Sequence, residues 1–368
     1  MQTTIGPRAG LLQMPPPNPP PFDTDALAAW LQAHLPGFAG PLTLEAFQGG
    51  QSNPTFKLIT PSQSYVMRSK PGPAAKLLPS AHAIEREFAV MSGLAGSKVP
   101  VPRMLCLCDD ESVIGRAFYI MAFMDGRIFW DQSLPGMAPA ERTAIYQEMN
   151  RVLAALHTVD YAQRGLANYG KPGNYFERQI GRWSKQYVAS ITQPIAQMDQ
   201  LMAWLPEHIP AMALDAAMVS IVHGDYRLDN LMFHPTEPRI IAVLDWELST
   251  LGHPLADFSY HCMAWHIPPG AFRGIGGLDL ASLGIPSERD YIRRYCEQTG
   301  LITPDRLAQD WNFYLAYNLF RMAAILQGIG KRVEAGTAAS AQAVSAAAGA
   351  RPLAELAWQF AQRATDQF

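Results

Sequence analysis

The octapeptide HGDYRLDN occupies residues 223–230, between the apolar segment AAMVSIV and the short strand-like segment LMF. It combines a histidine, two aspartates, an arginine and an asparagine next to sequence that is typical of a protein interior. Asp225 and Asn230 are separated by four residues, so a short loop could direct a carboxylate and a carboxamide oxygen toward one point. Taken singly, these residues are more typical of a polar turn, in which aspartate and asparagine are common.

A third oxygen donor follows in the segment VLDWE, where Asp245 stands at the end of an apolar, strand-like run. Asp245 lies fifteen residues beyond Asn230, and the segments between them predict a strand hairpin. Mg²⁺ prefers oxygen ligands, and a strand end beside a loop with one acid and one amide can provide them. The ordered set of Asp225, Asn230 and Asp245 therefore predicts a metal-assisted site, because chance rarely produces all these parts in this order.

The hydrophobic pattern has period two in much of the N-terminal part of the chain and becomes helical beyond Met137. A helix capped by Asp23 precedes an antiparallel meander of three strands. The elements predicted for residues 40–124 are strands at 42–48, 55–60 and 64–69, a helix at 80–94, and strands within VPVPRMLCLC and RAFYIMAFM. The helices predicted beyond them lie at 140–158, 175–190, 287–298 and 304–328.

The change of pattern predicts three regions along the chain. They are a Pro-rich arm at 1–22, a strand-rich region at 23–124, and a mainly helical region at 125–368. Within the arm, the segment from Met14 to Pro21 is expected to form neither helix nor strand ladder, because most of its residues lack a backbone N–H.

The spacing H-x-D-x-x-x-x-N followed by a later aspartate resembles the catalytic loop and metal-binding aspartate of protein kinases. Gly224 replaces the usual arginine and DWE replaces the usual D-F-G, and both features resemble the aminoglycoside phosphotransferase family. The likeness extends through LDWELSTLGHPLADFSY to Gly252, Pro254 and Asp257. It implies an α+β, bilobal, protein-kinase-like fold, with a small antiparallel-sheet N-terminal lobe carrying one helix and a larger, mainly helical C-terminal lobe.

The same resemblance implies an enzyme that transfers the γ-phosphoryl group of ATP to the hydroxyl of a small molecule. Asp225 would orient the acceptor hydroxyl and take its proton, while Asn230 and Asp245 would hold Mg²⁺. His223 is expected to shape the loop rather than to act as the base. Asp257 is expected to hydrogen-bond the backbone of the loop.

Two segments of the N-terminal half stand where this fold binds the nucleotide. FQGGQSNPTF lies between the first two strands, where small residues allow backbone N–H groups to approach phosphate oxygens. IMAFMDG, at 120–126, lies where the chain crosses between lobes, and its backbone would bind the adenine edge. The expected nucleotide contacts in these segments are Gly49, Gly50, Ser52, Asn53, Met121 and Phe123.

The third strand departs from the family, which keeps a lysine there for the α- and β-phosphates. Arg68 occupies the matching position, and Lys70 lies two residues later on the same strand face. The following helix offers Glu87 as the partner of that cation, with Glu85 as the alternative, and helical geometry directs the two to different sides. We expect Arg68 to contact the phosphates because a guanidinium suits their oxygens bidentately, and Lys70 remains the alternative.

Composition excludes several classes of partner. The chain of 368 residues is 48% hydrophobic and 17% charged, with a formal net charge of -3. This balance gives no long-range attraction to nucleic acid or to an anionic membrane, and neither is expected as a partner. The sequence shows no secretory signal pattern and no run of about 18 apolar residues, so we expect a cytoplasmic protein.

The charge pattern also bears on the acceptor. The expected acceptor-binding regions hold four acids and three bases at 174–220, and nine acids and ten bases at 271–368. This is no acid excess of the kind that would favour a polycationic antibiotic. Candidate acceptor contacts in the loop are Arg227 and Asp229. Further candidates are the basic segments RRY at 293–295 and GKR at 330–332, whose basic residues are equally typical of solvated helix faces.

Five longer segments resemble the kinase-like domain that is fused to acyl-CoA dehydrogenases in some eukaryotic proteins and stands alone in bacteria. They are GGQSNPTF, LPSAHAIEREF, YGKPGNYFERQI, RWSKQY and the segment from His223 to Tyr260. This resemblance implies a hydroxyacyl-CoA or a hydroxy acid as the acceptor, and a functional link to an acyl-CoA dehydrogenase. The alternatives are a nucleotide-binding pseudokinase, an aminoglycoside-type antibiotic kinase and a protein kinase.

Overall fold

The computed structural model describes residues 13–14, 22–47, 53–72, 83–270, 273–336 and 341–365. These residues fall into two compact units. Unit 1 is drawn from Met1–Phe129, Asp160–Tyr169 and Asp229–Ser249. Unit 2 is drawn from Trp130–Val159, Gly170–Leu228 and Thr250–Phe368.

Strands and helices follow the order expected from the change in hydrophobic period. The strands are β1 (Gln13–Met14), β2 (Thr43–Phe47), β3 (Thr55–Ile59), β4 (Ser64–Ser69), β5 (Met104–Cys108), β6 (Phe118–Ala122), β7 (Ser220–Val222), β8 (Leu231–Phe233), β9 (Ile240–Val243) and β10 (Thr250–Gly252). The helices are α1 (Thr24–His34), α2 (Ile84–Leu94), α3 (Pro139–His157), α4 (Tyr175–Ser190), α5 (Ala196–Glu207), α6 (Pro254–Cys262), α7 (Leu280–Leu283), α8 (Glu288–Thr299), α9 (Pro304–Glu334), α10 (Ala341–Ala347) and α11 (Ala350–Thr365).

Unit 1 is built on an antiparallel sheet with the strand order β1-β2-β3-β4-β6-β5. Helix α1 begins at the expected cap, where the Asp23 carboxylate accepts the N–H groups of Asp25 and Ala26. Leu27 and Leu31 of α1 pack with apolar residues of the sheet in one buried cluster. The sheet members of that cluster include Leu44, Phe56, Leu58, Met67 and Ile120.

Unit 1 also contains the hairpin of β8 and β9, in which Leu231 pairs with Val243. The segment after β6 reaches this hairpin, and Arg127 forms a backbone bridge with Phe233. Gly126 allows this close approach, because a Cβ there would lie 2.6 Å from the Phe233 carbonyl oxygen. The hairpin is therefore part of the same compact unit as the sheet, although about a hundred residues separate them in sequence.

Unit 2 is mainly helical. Its longest helix, α9, has 31 residues and a buried middle that includes Tyr314, Tyr317 and Phe320. Helix α8 begins at the predicted capping box, where the Ser287 hydroxyl accepts the N–H of Asp290. Strands β7 and β10 pair antiparallel; β7 leads into residues 223–230, and β10 leads into helix α6.

The structure departs from one sequence-based expectation. Met14, the first residue of the Pro-rich segment, pairs with Ala46 of β2, because Met14, unlike its proline neighbours, retains a backbone N–H. Unit 1 also takes in residues 160–169 and 229–249, which join it through pairing and packing between segments far apart in the sequence.

Candidate active site

Arg68 lies at the centre of a charged cluster in unit 1. Strand β4 places it opposite Thr55 of β3 and Tyr119 of β6. Its Nε lies 3.1 Å from Glu87 Oε2, and its Nη2 lies 2.9 Å from Asp245 Oδ1. A third carboxylate, that of Glu247, lies 3.6 Å from Nη2. Burial opposes the charge of Arg68, but the nearby carboxylates raise the pKa of its guanidinium further above its usual value, so it remains a cation.

Glu87 occupies the buried face of α2, with an exposed fraction of 1%. Its Oε1 accepts a hydrogen bond of 2.8 Å from Asn53 Nδ2, and its Oε2 accepts one of 3.2 Å from the Tyr119 hydroxyl. Burial raises the pKa of Glu87 to about 7, against the opposing effect of Arg68. The predicted nucleotide contact Asn53 therefore holds Glu87 in this structure.

Lys70 and Glu85 form a second, outer ion pair. Both side chains are partly exposed, with 27% and 39% of their surface accessible. The two cations and two acids that the sequence left undecided are thus sorted into an inner pair, Arg68 with Glu87, and an outer pair, Lys70 with Glu85. Asp245 joins the inner pair through its contact with Arg68.

Asn230 and Asp245 stand at the open end of the β8–β9 hairpin. Leu231, which follows Asn230, pairs with Val243, and the N–H of Leu244, just before Asp245, donates to the Asn230 carbonyl oxygen at 2.8 Å. Asp245 has a φ of 63°, a left-handed conformation that aspartate tolerates better than most residues. The hairpin thus places one carboxamide and one carboxylate on adjacent backbone, and this donor set fits Mg²⁺.

Arg86 connects α2 to the segment that follows Asp245. Its Nη2 donates to the carbonyl oxygens of Tyr169 and Ser249, at 2.8 and 3.3 Å. The Tyr169 ring lies 4.4 Å from the Arg86 guanidinium, and its hydroxyl lies 2.6 Å from the Ser249 hydroxyl. These contacts fix the helix that carries Glu87 to the chain around Asp245.

Part of the expected adenine-binding segment, residues 120–126, packs against the β8–β9 hairpin. Met121 belongs to β6, where it pairs with Val66. Met124 packs against a small buried cluster formed by Ile128, Met232 and Ala242. Phe123 is half-buried, and the Lys57 ammonium lies 4.3 Å from the centre of its ring.

Asp225 belongs to unit 2, where both of its carboxylate oxygens have donors. The Tyr260 hydroxyl donates to Oδ1 at 2.5 Å, and Arg227 Nη2 lies 3.1 Å from Oδ2. The N–H of Asp225 donates to His223 Nδ1 at 3.2 Å. His223 is fully buried and contacts the loop backbone, as expected of a residue that shapes the loop.

Asp257, on helix α6, accepts hydrogen bonds from the backbone at residues 223–224, just before Asp225. Its Oδ2 accepts the N–H of His223 at 2.6 Å, and its Oδ1 accepts the N–H of Gly224 at 2.8 Å. Its Oδ2 also lies 3.4 Å from His157 Nε2. Although burial opposes ionisation, the His157 side chain and these backbone donors lower the pKa of Asp257. The buried carboxylate thus fixes the conformation of the segment before Asp225.

Arg321, from α9, approaches the same segment. Its Nη2 donates to the Gly224 carbonyl oxygen at 2.6 Å, and its guanidinium lies 5.1 Å from the centre of the Tyr260 ring. The sequence reading did not single out Tyr260, Tyr119, Glu247 or Arg321. Tyr260 carried a usable signal, because it follows Asp257 by three residues and so shares one face of α6.

The remaining predicted contacts divide into two groups. Gly49, Gly50 and Ser52 lie outside the described residues. Arg293 forms an ion pair with Asp290 on the exposed side of α8, and Lys331 donates to the Ala189 carbonyl oxygen. These two basic side chains are thus engaged by their own surroundings.

Over the residues described, no helix combines the length and apolar character that a membrane span requires.

Comparison with known protein families matches residues 43–295 to a model described as the phosphotransferase enzyme family. The chain is 46% identical over 342 residues to mouse (Mus musculus) acyl-CoA dehydrogenase family member 10, a match that covers 92% of this chain and 31% of that protein. It is 43% identical over 348 residues to rat (Rattus norvegicus) acyl-CoA dehydrogenase family member 11, covering 93% and 44%. The chain thus spans less than half the length of these curated relatives.

Solved structures show the same similarity. An aminoglycoside phosphotransferase-like protein of Ralstonia eutropha JMP134 is 64% identical, with a TM-score of 0.85, over 93% of this chain and 99% of that one. Choline kinase of Cryptosporidium parvum Iowa II is 12% identical, with a TM-score of 0.62, over 94% and 96% of the two chains. Aminoglycoside phosphotransferase APH(4)-Ia in complex with ADP and hygromycin B is 15% identical, with a TM-score of 0.58, over 90% and 97%. The last two likenesses concern the fold alone.

Proposed function

The chain belongs to the phosphotransferase enzyme family, and we propose that it transfers the γ-phosphoryl group of ATP to a hydroxyl of a small molecule. The kinase-like α+β fold expected from the sequence is confirmed. The observation that carries the proposal is the β8–β9 hairpin, which joins Asn230 to the strand end where Asp245 pairs with Arg68. Asn230 follows Asp225 by five residues, as in the family motif, and Arg68 stands where the family keeps a lysine.

In this proposal, unit 1 binds the nucleotide. Asn230 and Asp245 would hold Mg²⁺, which when bound supplies positive charge to the β- and γ-phosphates. Arg68 would neutralise further charge on the phosphates, with Glu87 fixing its guanidinium. The backbone around Met121 and Phe123 would bind the adenine edge. The three carboxylates near Arg68 orient this cation before the nucleotide arrives.

Asp225, a residue of unit 2, would be the base. Asp225 would orient the acceptor hydroxyl and take its proton as the acceptor oxygen forms its bond to the γ-phosphorus. The bond from that phosphorus to the bridging oxygen breaks, and ADP leaves. The transition state is loose, so positioning and electrostatic stabilisation contribute most of the acceleration.

We propose a hydroxyacyl-CoA or a hydroxy acid as the acceptor. The similarity to parts of two acyl-CoA dehydrogenase family proteins supports this choice, because phosphorylation converts a poor leaving hydroxyl into a good one. It also supports a functional link to an acyl-CoA dehydrogenase. The charge balance at 174–220 and 271–368 gives no support to the alternative of a polycationic antibiotic as acceptor.

The test is turnover with Mg-ATP and a panel of hydroxyacyl-CoAs, hydroxy acids and aminoglycosides, followed by ADP release. We expect ADP from at least one hydroxyacyl compound. Release only with aminoglycosides would favour an antibiotic kinase. Stabilisation by Mg-ATP without any turnover would favour a pseudokinase, for which the arginine at position 68 is the supporting feature.

The role of the base is tested by Asp225→Asn. We expect kcat to fall by a factor on the order of 10² or more, because a positioned base is lost, while affinity for Mg-ATP is retained. Asp199→Asn, at an exposed position on α5, is the matched control and should leave both quantities unchanged. Loss of Mg-ATP affinity in Asp225→Asn would show that this carboxylate has another task.

A further inference from the structure

The two donors on the Asp225 carboxylate differ in how firmly they are held. Tyr260, which donates to Oδ1 at 2.5 Å, has an exposed fraction of 5%. The side chain of Arg227, near Oδ2 at 3.1 Å, is 25% exposed. A buried tyrosine has few alternative rotamers, whereas a partly exposed arginine can exchange a carboxylate for another partner at little cost.

Tyr260 is fixed from two directions. It stands three residues after Asp257 on α6, so the same helix face that holds the loop backbone also reaches the base. On the other side of its ring, Arg321 lies 5.1 Å from the ring centre while donating to the Gly224 carbonyl oxygen. One helix therefore sets both the course of the loop and the orientation of the carboxylate that the loop carries.

We propose that Tyr260 is a positioning residue for the base, and that it holds Oδ1 of Asp225 so that Oδ2 receives the acceptor proton. The proposal rests on the proposed function. Arg227 turns away from Oδ2 when the acceptor hydroxyl arrives, and the proton moves from that hydroxyl to Oδ2. Tyr260 keeps its own proton throughout.

The electrostatic surroundings agree with this assignment. Burial and the Asp225 carboxylate raise the pKa of Tyr260 well above its usual value, so its hydroxyl remains a donor at any working pH. The charged and titratable groups around the Asp225 carboxylate include Arg227 from the loop, His223 at the preceding turn and Arg321 from α9.

The experiment compares Tyr260→Phe with Tyr146→Phe. Tyr146 is also buried in unit 2, and its hydroxyl donates to the Gln132 carbonyl oxygen at 2.7 Å, which makes it a matched loss of one buried hydroxyl. In Tyr260→Phe, we expect kcat to fall about tenfold, because the base is less well oriented, with Mg-ATP affinity unchanged. Tyr146→Phe should leave both kcat and Mg-ATP affinity unchanged.

A second measurement needs no acceptor. With ¹³C-labelled aspartate, the carboxyl resonance of Asp225 is assigned by its absence in Asp225→Asn and compared between variants at one pH. Its chemical shift should change in Tyr260→Phe, where the carboxylate has lost a donor, and stay in place in Tyr146→Phe. Identical chemical shifts in the two variants would overturn the assignment of Tyr260. A wild-type protein without turnover on the whole panel, but with the changed chemical shift in Tyr260→Phe, would overturn the proposed function and leave the Tyr260–Asp225 coupling standing.

Discussion

The two units hold their functional carboxylates by different means. In unit 1, Glu87, Asp245 and Glu247 all lie within 3.6 Å of one guanidinium, that of Arg68. In unit 2, Asp257 is held mainly by backbone N–H groups, and Asp225 by a tyrosine hydroxyl and a partly exposed arginine. The contacts in unit 1 depend on the charges of the side chains, and those in unit 2 depend on the geometry of individual hydrogen bonds.

This difference corresponds to the two tasks proposed for the units. Unit 1, which is proposed to bind a polyanion with a divalent cation, must accommodate a large change in local charge. A cluster of one cation and three carboxylates can do so without large movement. A half that removes one proton needs a carboxylate in a fixed orientation more than it needs charge. Substitutions that remove charge should therefore have their largest effect in unit 1, and substitutions that remove a single donor or acceptor should have theirs in unit 2.

The largest effect is expected for Arg68→Met. This change leaves Glu87 buried without its cation, and breaking a buried ion pair by removing one partner costs about 3 to 5 kcal/mol. Chemical denaturation should report that loss in the free energy of unfolding, and Mg-ATP affinity should fall as well. The matched control is Lys70→Met, which breaks the partly exposed pair with Glu85 and should cost at most about 1 kcal/mol.

Equal losses in the two variants would contradict the division into an inner and an outer pair. A double variant, Arg68→Met with Glu87→Met, sharpens the comparison. If the loss in Arg68→Met comes from an unpaired buried carboxylate, replacing Glu87 as well should restore part of the stability. Mg-ATP affinity should not recover, because the cation remains absent.

The sequence predicted the order of elements well where the hydrophobic period is clear. Helix α4 begins and ends at the predicted residues, and β4 matches its predicted range. Helix α5 was not predicted, and it contains Pro206 near its end, a residue that normally signals the end of a helix. Packing of Met198, Leu201 and Leu205 in the core stabilises it nevertheless.

The candidate site was less accessible to sequence reasoning, because its contacts join distant segments. The spacing around Asp225 suggested three functional residues, but period two alone could not choose between Arg68 and Lys70. The structure separates them because β4 ends at Ser69, and Lys70, just beyond the strand, pairs with Glu85. The Tyr260 hydroxyl bond to Asp225 spans 35 residues, and the spacing of Tyr260 from Asp257 predicts a shared helix face but not this partner.

A smaller effect is expected for Asp257→Asn in unit 2. The substitution replaces one of two oxygens that accept backbone N–H groups by an NH₂ group, which cannot accept. Loss of one hydrogen bond to a buried charged group costs about 2 kcal/mol, which denaturation should measure. The catalytic-loop segment should also become less protected, so amide exchange of His223 and Gly224 should accelerate. The exposed Asp199→Asn variant serves again as control, and unchanged exchange in Asp257→Asn would remove Asp257 as the residue that holds this segment.

The smallest effect concerns pH and has opposite signs in the two units. Burial lowers the pKa of His261, in unit 2, from its usual 6.5 to about 4, so the unfolded chain binds more protons than the folded chain between these values. His261 therefore stabilises the fold fully above pH 6.5, and that contribution is lost as pH falls toward 4. Burial raises the pKa of Glu87, in unit 1, from 4.5 to about 7, so its contribution is lost as pH rises through that window.

The variant His261→Gln isolates the contribution of unit 2. Between pH 6.5 and 5.5, the wild type should lose about 1 kcal/mol more of its free energy of unfolding than His261→Gln does, because the variant has no proton to take up at this position. Denaturant titrations at the two pH values give this difference directly. His34→Gln, at an exposed histidine of α1, should follow the wild type, because this variant retains His261. A pH dependence in His261→Gln equal to that of the wild type would mean that His261, whose Nε2 lies 2.9 Å from the Tyr291 hydroxyl, is not the source of this loss of stability in acid.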